Sequence, residues 1–196
     1  IYWGSSALTA GRYHFDFTMA FDREVPLLPV FVWFYILAFP FWAVGYLLAA
    51  RRGKDMFYRF VATDLTIHFI CFICFILIPT TNIRPEIPGN TLSEKILALV
   101  YSLDGGNSPS NLFPSIHCYV SWMCWKGVEG SEKVPKWYQR FSLVFAILII
   151  ISTQVLKQHY IVDAAAALLL VEFFWRFYQK GQRHKWVVHV FAHKKK

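Results

Sequence analysis

Polar and apolar positions along this chain fall into long blocks rather than short alternations. The block from about Leu27 to Ala50 carries no charge and is long enough for a membrane-crossing helix. Arg51, Arg52 and Lys54 close it. A second block runs from about Phe57 to Pro79, a third from Ser115 to Trp125, a fourth from Phe141 to Leu156 and a fifth from His159 to Phe177. The third is short as charge-free sequence, and the stem of Lys126 can lengthen it by reaching toward the interface. In the fifth, Glu172 and Arg176 stand one helical turn apart and are expected to pair. The pattern predicts an all-α, polytopic membrane helix bundle, with five spans in one domain covering residues 1–196.

The segments between the blocks are equally informative. Residues 1–24 hold Arg12, Asp16, Asp22, Arg23 and Glu24 and are not expected to span; Tyr2 and Trp3 read as the interfacial end of a helix. The connection 80–114 is long and polar, and loops of that length are seldom idle. Within it, Thr91-Leu92-Ser93-Glu94 reads as a capping box. Leu92, Ile96, Leu99, Val100 and Leu103 follow at helical spacing, predicting a short amphipathic helix on the membrane surface.

Composition sharpens this picture. The chain is 56% hydrophobic, 19% aromatic and only 16% charged, more apolar surface than a soluble domain of this size can hide. A net charge of +8 invites a nucleic-acid reading, but the basic residues sit in short segments between apolar runs and in the tail that ends Lys194-Lys195-Lys196. That distribution is a topology signal. Fifteen of the 20 Lys and Arg residues lie in segments 51–59, 126–140 and 176–196, which assigns that side, with the C-terminus, to the cytoplasm. Cys71, Cys74, Cys118 and Cys124 all fall inside apolar runs, and the Cys71/Cys74 pair has no second ligand pair to make a metal site. They read as packing residues.

Three polar groups inside or beside the apolar blocks carry candidate chemistry. Asp64 and His68, one turn apart in the second block, read either as a buried proton site or as a polar pair that fixes helix packing; nothing else ionisable joins them, which favours packing. His117 follows the loop Gly105-Gly106-Asn107-Ser108-Pro109-Ser110-Asn111. His159 precedes Asp163 by four residues, on one face of a helix if one starts there. The alternation of spans brings both histidine stretches and Arg84 to the non-cytoplasmic face.

A histidine with a carboxylate at its other ring nitrogen suits nucleophilic attack, and a second histidine suits general acid catalysis. Arg84 and Lys157 are the nearby cations, the first a planar fork for phosphate oxygens and the second a point charge. Backbone N–H groups around Ser115 could add donors at a helix N-terminus. Together these describe phosphoryl transfer, and no acidic cluster is present in the sequence to hold magnesium.

These residues resemble the type 2 phosphatidic acid phosphatase superfamily. Arg84-Pro85 matches the end of its first motif, Pro114-Ser115-Ile116-His117 its P-S-x-H motif, and Ser152, His159 and Asp163 the spacing of its third motif, S-R-x5-H-x3-D. The resemblance covers roughly residues 79–170. It implies His159 as phosphohistidine nucleophile, Asp163 as its partner and His117 as leaving-group acid. Arg84 and Ser115 are implied to hold the phosphate, with Ser152, Thr153 and Lys157 as further candidates. Two positions depart from the pattern: the first motif's lysine is Leu77, and the third motif's arginine is Thr153. The stretch around Gln158-His159-Tyr160 and Phe113-Pro114-Ser115-Ile116-His117 is also similar to the inositol phosphorylceramide synthase branch. The superfamily core has six membrane helices, which implies one before Ile1. The resemblance implies a membrane lipid phosphate phosphatase with no cofactor or metal, with a lipid phosphate and membrane lipids as partners and no nucleic acid. A lipid phosphotransferase with the same nucleophile is the alternative, and a non-catalytic lipid-phosphate binder or transporter is a third reading.

Overall fold

The computed structural model describes residues 2–106 and 109–192. Asn107 and Ser108 of the loop before His117, Ile1 and the terminal lysines lie outside the described residues. The chain folds as α1 (Tyr2–Thr9), β1 (Phe15–Asp16), α2 (Ala20–Glu24), a single 3-10 turn (Pro29–Phe31), α3 (Val32–Ala50) and α4 (Lys54–Leu77). After β2 (Thr80–Thr81) come α5 (Leu92–Leu103), α6 (Ile116–Val128), α7 (Lys136–Val155), α8 (Ile161–Gln179) and α9 (Lys185–Ala192). All five apolar blocks are helical.

Among the described residues, Pro29–Ala50, Lys54–Leu77 and Lys136–Val155 are long and apolar enough to cross a membrane. The other two expected spans differ for identifiable reasons: α6 has 13 residues, about 20 Å of helix, and α8 carries Asp163, Glu172 and Arg176. Many large apolar side chains lie on the outer surface. Phe39, Leu47, Phe69, Val144, Leu169 and Phe173 are all exposed, a surface suited to lipid rather than water.

Helix α6 is the centre of the bundle, packed against α3, α4, α7 and α8. It buries Cys118, Tyr119, Val120, Met123 and Cys124, so two of the four cysteines are packing residues here. Its ends are fixed by polar contacts. At one end Ser115 N donates to Asp163 O at 3.2 Å. At the other, Lys126 Nζ reaches Glu129 at 2.9 Å and Glu172 at 3.4 Å, and Arg176 reaches Glu172 at 3.4 Å, so the expected Glu172–Arg176 pair is present within a larger network.

Two expectations are refined. The capping box of α5 is formed, with Thr91 Oγ1 accepting from Glu94 N at 3.2 Å and Glu94 Oε2 accepting from Thr91 N at 3.0 Å. The helix also docks on the protein: Leu97 and Tyr101 are buried against Val32, Tyr35 and Leu156, while Leu92, Leu99 and Leu103 of the expected apolar stripe are exposed. Asp64 and His68 are joined by two tyrosines from neighbouring helices. Tyr46 donates to Asp64 Oδ1 at 2.7 Å, and the Tyr119 hydroxyl lies 2.7 Å from His68 Nε2. The network links α3, α4 and α6 as intramembrane polar packing does.

Close approach of α3 and α6 depends on Gly45. A Cβ there would lie 2.6 Å from Cys124 Sγ and 2.7 Å from its Cβ. Gly45→Ala is therefore expected to lower stability by about 1–3 kcal/mol. Gly11→Ala, with nothing within 4 Å, is expected to be neutral. Thermal unfolding of both variants in detergent checks this; equal midpoints would contradict the packing.

Candidate active site

The site lies where four non-helical segments meet at one end of the bundle, and each finds its hydrogen-bond partners in another. The segment after α4 is the staple. Thr80 and Thr81 pair in parallel with Phe15 and Asp16, a two-residue ladder too short to read from sequence. Thr80 Oγ1 accepts from Leu112 N and Phe113 N, both at 3.0 Å, fixing the chain ahead of α6. Asn82 Nδ2 donates to Lys157 O at 2.9 Å, fixing the turn between α7 and α8.

His117 sits in the first turn of α6, which begins at Ile116 with Ser115 as its N-cap. The Ser115 side chain caps that turn, with Oγ accepting from Cys118 N at 3.3 Å. The His117 ring stacks on Tyr35 at 4.3 Å between centroids, with Trp42 at 5.1 Å and Phe39 at 5.9 Å. Trp42 is itself held by a 2.9 Å bond from Nε1 to Ser121 Oγ. His117 Nε2 is buried without a hydrogen-bond partner. A polar atom left so inside a packed cluster is in place for something that enters.

His159 lies just before α8 rather than within it, because the helix starts at Ile161 with Tyr160 as its N-cap. Its position is set by the backbone: Gln158 N and His159 N both donate to Thr153 O at 3.0 Å. Asp163, in the first turn of α8, accepts from Tyr160 N at 3.0 Å through Oδ2. The same oxygen lies 3.4 Å from His159 Nδ1, near enough for charge coupling but not aligned as a hydrogen bond. The His117 and His159 rings are 6.1 Å apart. The structure thus brings together the three residues that the sequence nominated for catalysis, and one phosphoryl-sized group could touch both rings.

Both histidines line a cavity of about 580 Å³. Its walls are apolar: Tyr35, Ile36, Phe39 and Trp42 come from α3, Val100 and Leu103 from α5. Asp104 and Asn111 add polar groups beside the histidines. An apolar lining with a few polar groups is that of a small-molecule site. Among the described residues, no group of three His, Cys, Asp or Glu side chains converges as metal ligands do.

The expected phosphate ligands are distributed differently. Arg84 is buried; its guanidinium donates to Asp104 O and Gly106 O at 3.1 Å, to Asp104 Oδ2 at 2.5 Å and to Gln158 Oε1, and it covers the Tyr101 ring at 4.7 Å. Burial pushes the Tyr101 hydroxyl up to about 12, against the opposing pull of Arg84, so it remains a donor, to Leu156 O at 2.6 Å. Lys157 turns away from the cavity: Nζ donates to Asp22 O at 2.6 Å and Val25 O at 2.5 Å. Burial lowers its ammonium below the ordinary lysine value. Ser152 Oγ donates to Ile149 O and Thr153 Oγ1 to Ile150 O, both within α7. Ser115 is fully buried at its cap.

A profile described as the PAP2 superfamily matches residues 11–176. The chain belongs to this superfamily. No curated protein matches the chain, and no solved structure does. The PAP2 match reaches well before the motif region and takes in β1, α2 and α3, whose residues the motifs alone did not reveal. Tyr35, Phe39 and Trp42 form an aromatic stripe at helical spacing, a signal available in the sequence. Asp22 is the other omission. It is 3% exposed, and its Oδ1 accepts from Ile161 N at 2.9 Å, satisfying the first amide of α8. Asp22→Ala is expected to cost about 1–2 kcal/mol and to speed amide exchange at Ile161 and its neighbours. Hydrogen exchange of both proteins measures this, and unchanged protection at 159–163 would contradict the assigned role.

Proposed function

We propose that this protein is a membrane lipid phosphatase that works through a phosphohistidine on His159. The observation that carries the reading is the convergence of His117 and the His159–Asp163 pair at the head of an apolar cavity. Membership of the PAP2 superfamily supports a phosphatase-like, lipid-modifying enzyme. Asp163 faces Nδ1 of His159, which leaves Nε2 as the attacking atom.

In the first step His159 Nε2 forms a bond to phosphorus while the bond to the lipid oxygen breaks. That oxygen leaves with a proton from His117. In the second, His117 takes a proton from water, the water oxygen bonds to phosphorus, and the P–N bond breaks to release phosphate. The Asp163 carboxylate stabilises the charge on the imidazole of His159 during attack. Arg84 is paired with the Asp104 carboxylate that lines the cavity and would reach the phosphate by giving up that partner, and Ser115 would contribute through the helix N-terminus that it caps. The basic segments gather at the opposite end of the bundle, which supports a site on the non-cytoplasmic face and a cytoplasmic C-terminus.

One observation favours a second reading, a lipid phosphotransferase related to the inositol phosphorylceramide synthase branch. With Leu77 and Thr153 at two positions where the superfamily pattern has cations, and with Lys157 committed to Asp22 and Val25, the site has little positive charge to meet a phosphomonoester dianion. A phosphodiester carries a single negative charge. In that reaction the alcohol of an acceptor lipid replaces water in the second step.

The test uses purified protein and its His159→Ala variant with a panel of lipid phosphates, diphosphates and phosphodiesters, with chelator present. Phosphatase action predicts free phosphate from the wild type, unaffected by chelator and reduced by about 10³-fold or more in the variant. New phospholipid without free phosphate assigns the transferase. Turnover retained by His159→Ala overturns both.

A further inference from the structure

We infer that the end of the bundle opposite the histidines carries a second binding site, for the phosphate of a lipid headgroup. Helix α8 separates the two sites: it starts beside His159 and ends at Gln179 after 19 residues, about 28 Å. Beyond it the chain turns through Gly181 and docks α9 across the start of α4, with Val187 buried against Ala62 and Tyr178. Between α4 and α9 is a cavity of about 470 Å³ lined by Lys54, Asp55, Tyr58, His184, Lys185 and His189, with Val188.

The charge in this cavity is unbalanced in a defined way. Its carboxylate, Asp55, is already matched: Arg59 Nε lies at 2.7 Å and His184 Nε2 at 2.9 Å. The remaining nitrogens of Arg59 hold the backbone, at Tyr178 O (2.7 Å) and Gly181 O (3.1 Å). Lys54 and Lys185 therefore face a cavity whose negative charge is spent. His184 supplies the second, independent indication. It is 3% exposed, one ring nitrogen is committed to Asp55, and Nδ1 is buried with no hydrogen-bond partner. With Nε2 on the Asp55 carboxylate, Nδ1 is left for a polar group that enters between the two lysines.

The surroundings favour a headgroup over a soluble ion. Tyr58 and Val188 form the apolar part of the lining, and Trp186 and Val190 of α9 are 40% and 59% exposed beside it. A short helix with an apolar and aromatic outer edge and lysine at its start fits the headgroup boundary of a bilayer. The ligand class is an anionic phospholipid of the leaflet at the basic end.

Native mass spectrometry of the detergent-solubilised full chain, titrated with phosphatidylglycerol and with zwitterionic phosphatidylcholine, tests this. The double variant Lys54→Gln/Lys185→Gln is compared with Lys133→Gln/Lys136→Gln, which removes the same charge elsewhere at this end; all four lysines are exposed, and thermal unfolding verifies that both variants are folded. The expected result is phosphatidylglycerol binding weakened at least fivefold in the first variant and unchanged in the second, with little phosphatidylcholine bound throughout. Equal weakening in both variants, or none in either, overturns the site. Displacement of phosphatidylglycerol from the wild type by millimolar inorganic phosphate would keep the anion site and assign it to free phosphate; no displacement assigns the headgroup.

Discussion

Asp163 is the residue on which the site depends. It is 2% exposed at the start of an apolar helix, where an uncompensated carboxylate is costly. Its surroundings answer that cost and build the site at once. The carboxylate accepts the Tyr160 amide and faces His159 Nδ1, while the carbonyl of the same residue accepts the Ser115 amide at the start of α6. One residue thereby registers the helix that carries His117 against the turn that carries His159.

The irregular backbone around that node obeys the same economy of partners. Helix ends and turns buried away from water must find partners for their amides and carbonyls. Here Thr80 serves the amides ahead of α6, Asn82 the Lys157 carbonyl, Lys157 the carbonyls of α2, and Asp22 the first amide of α8. Arg84 closes the ring through the carbonyls of Asp104 and Gly106. Several side chains that a phosphate motif nominates therefore also hold the fold, and the aromatic wall from α3 holds His117 against the cavity.

What could be read from the sequence follows from which interactions are local. The helices were legible because charge-free runs of that length have few other structures open to them. The α5 capping box was legible because its partners are three residues apart. That His117, His159 and Asp163 lie near one another was legible because the spacing of His159 and Asp163 is short and both histidines follow polar turns at the starts of apolar blocks. The rest depended on contacts between elements. Leu97 and Tyr101 of α5 are buried against α3 and the α7 end, a contact between elements that the spacing of Leu92, Leu99 and Leu103 does not report. The tyrosines that complete the Asp64–His68 pair come from α3 and α6. The bonds from Lys157 to Asp22 O and Val25 O join segments more than 130 residues apart, so no local pattern reports them.

The reading of this PAP2-superfamily chain as a phosphoryl-transfer enzyme, whether water or an alcohol is the acceptor, rests on one covalent event at His159. The most direct measurement is rapid quench of the enzyme with a ³²P-labelled lipid phosphate, followed by peptide mapping of the retained label. The account predicts an acid-labile, alkali-stable phosphoramidate on the peptide containing His159, formed and lost at rates that support turnover. Turnover with no label retained, or label on another residue, would contradict it.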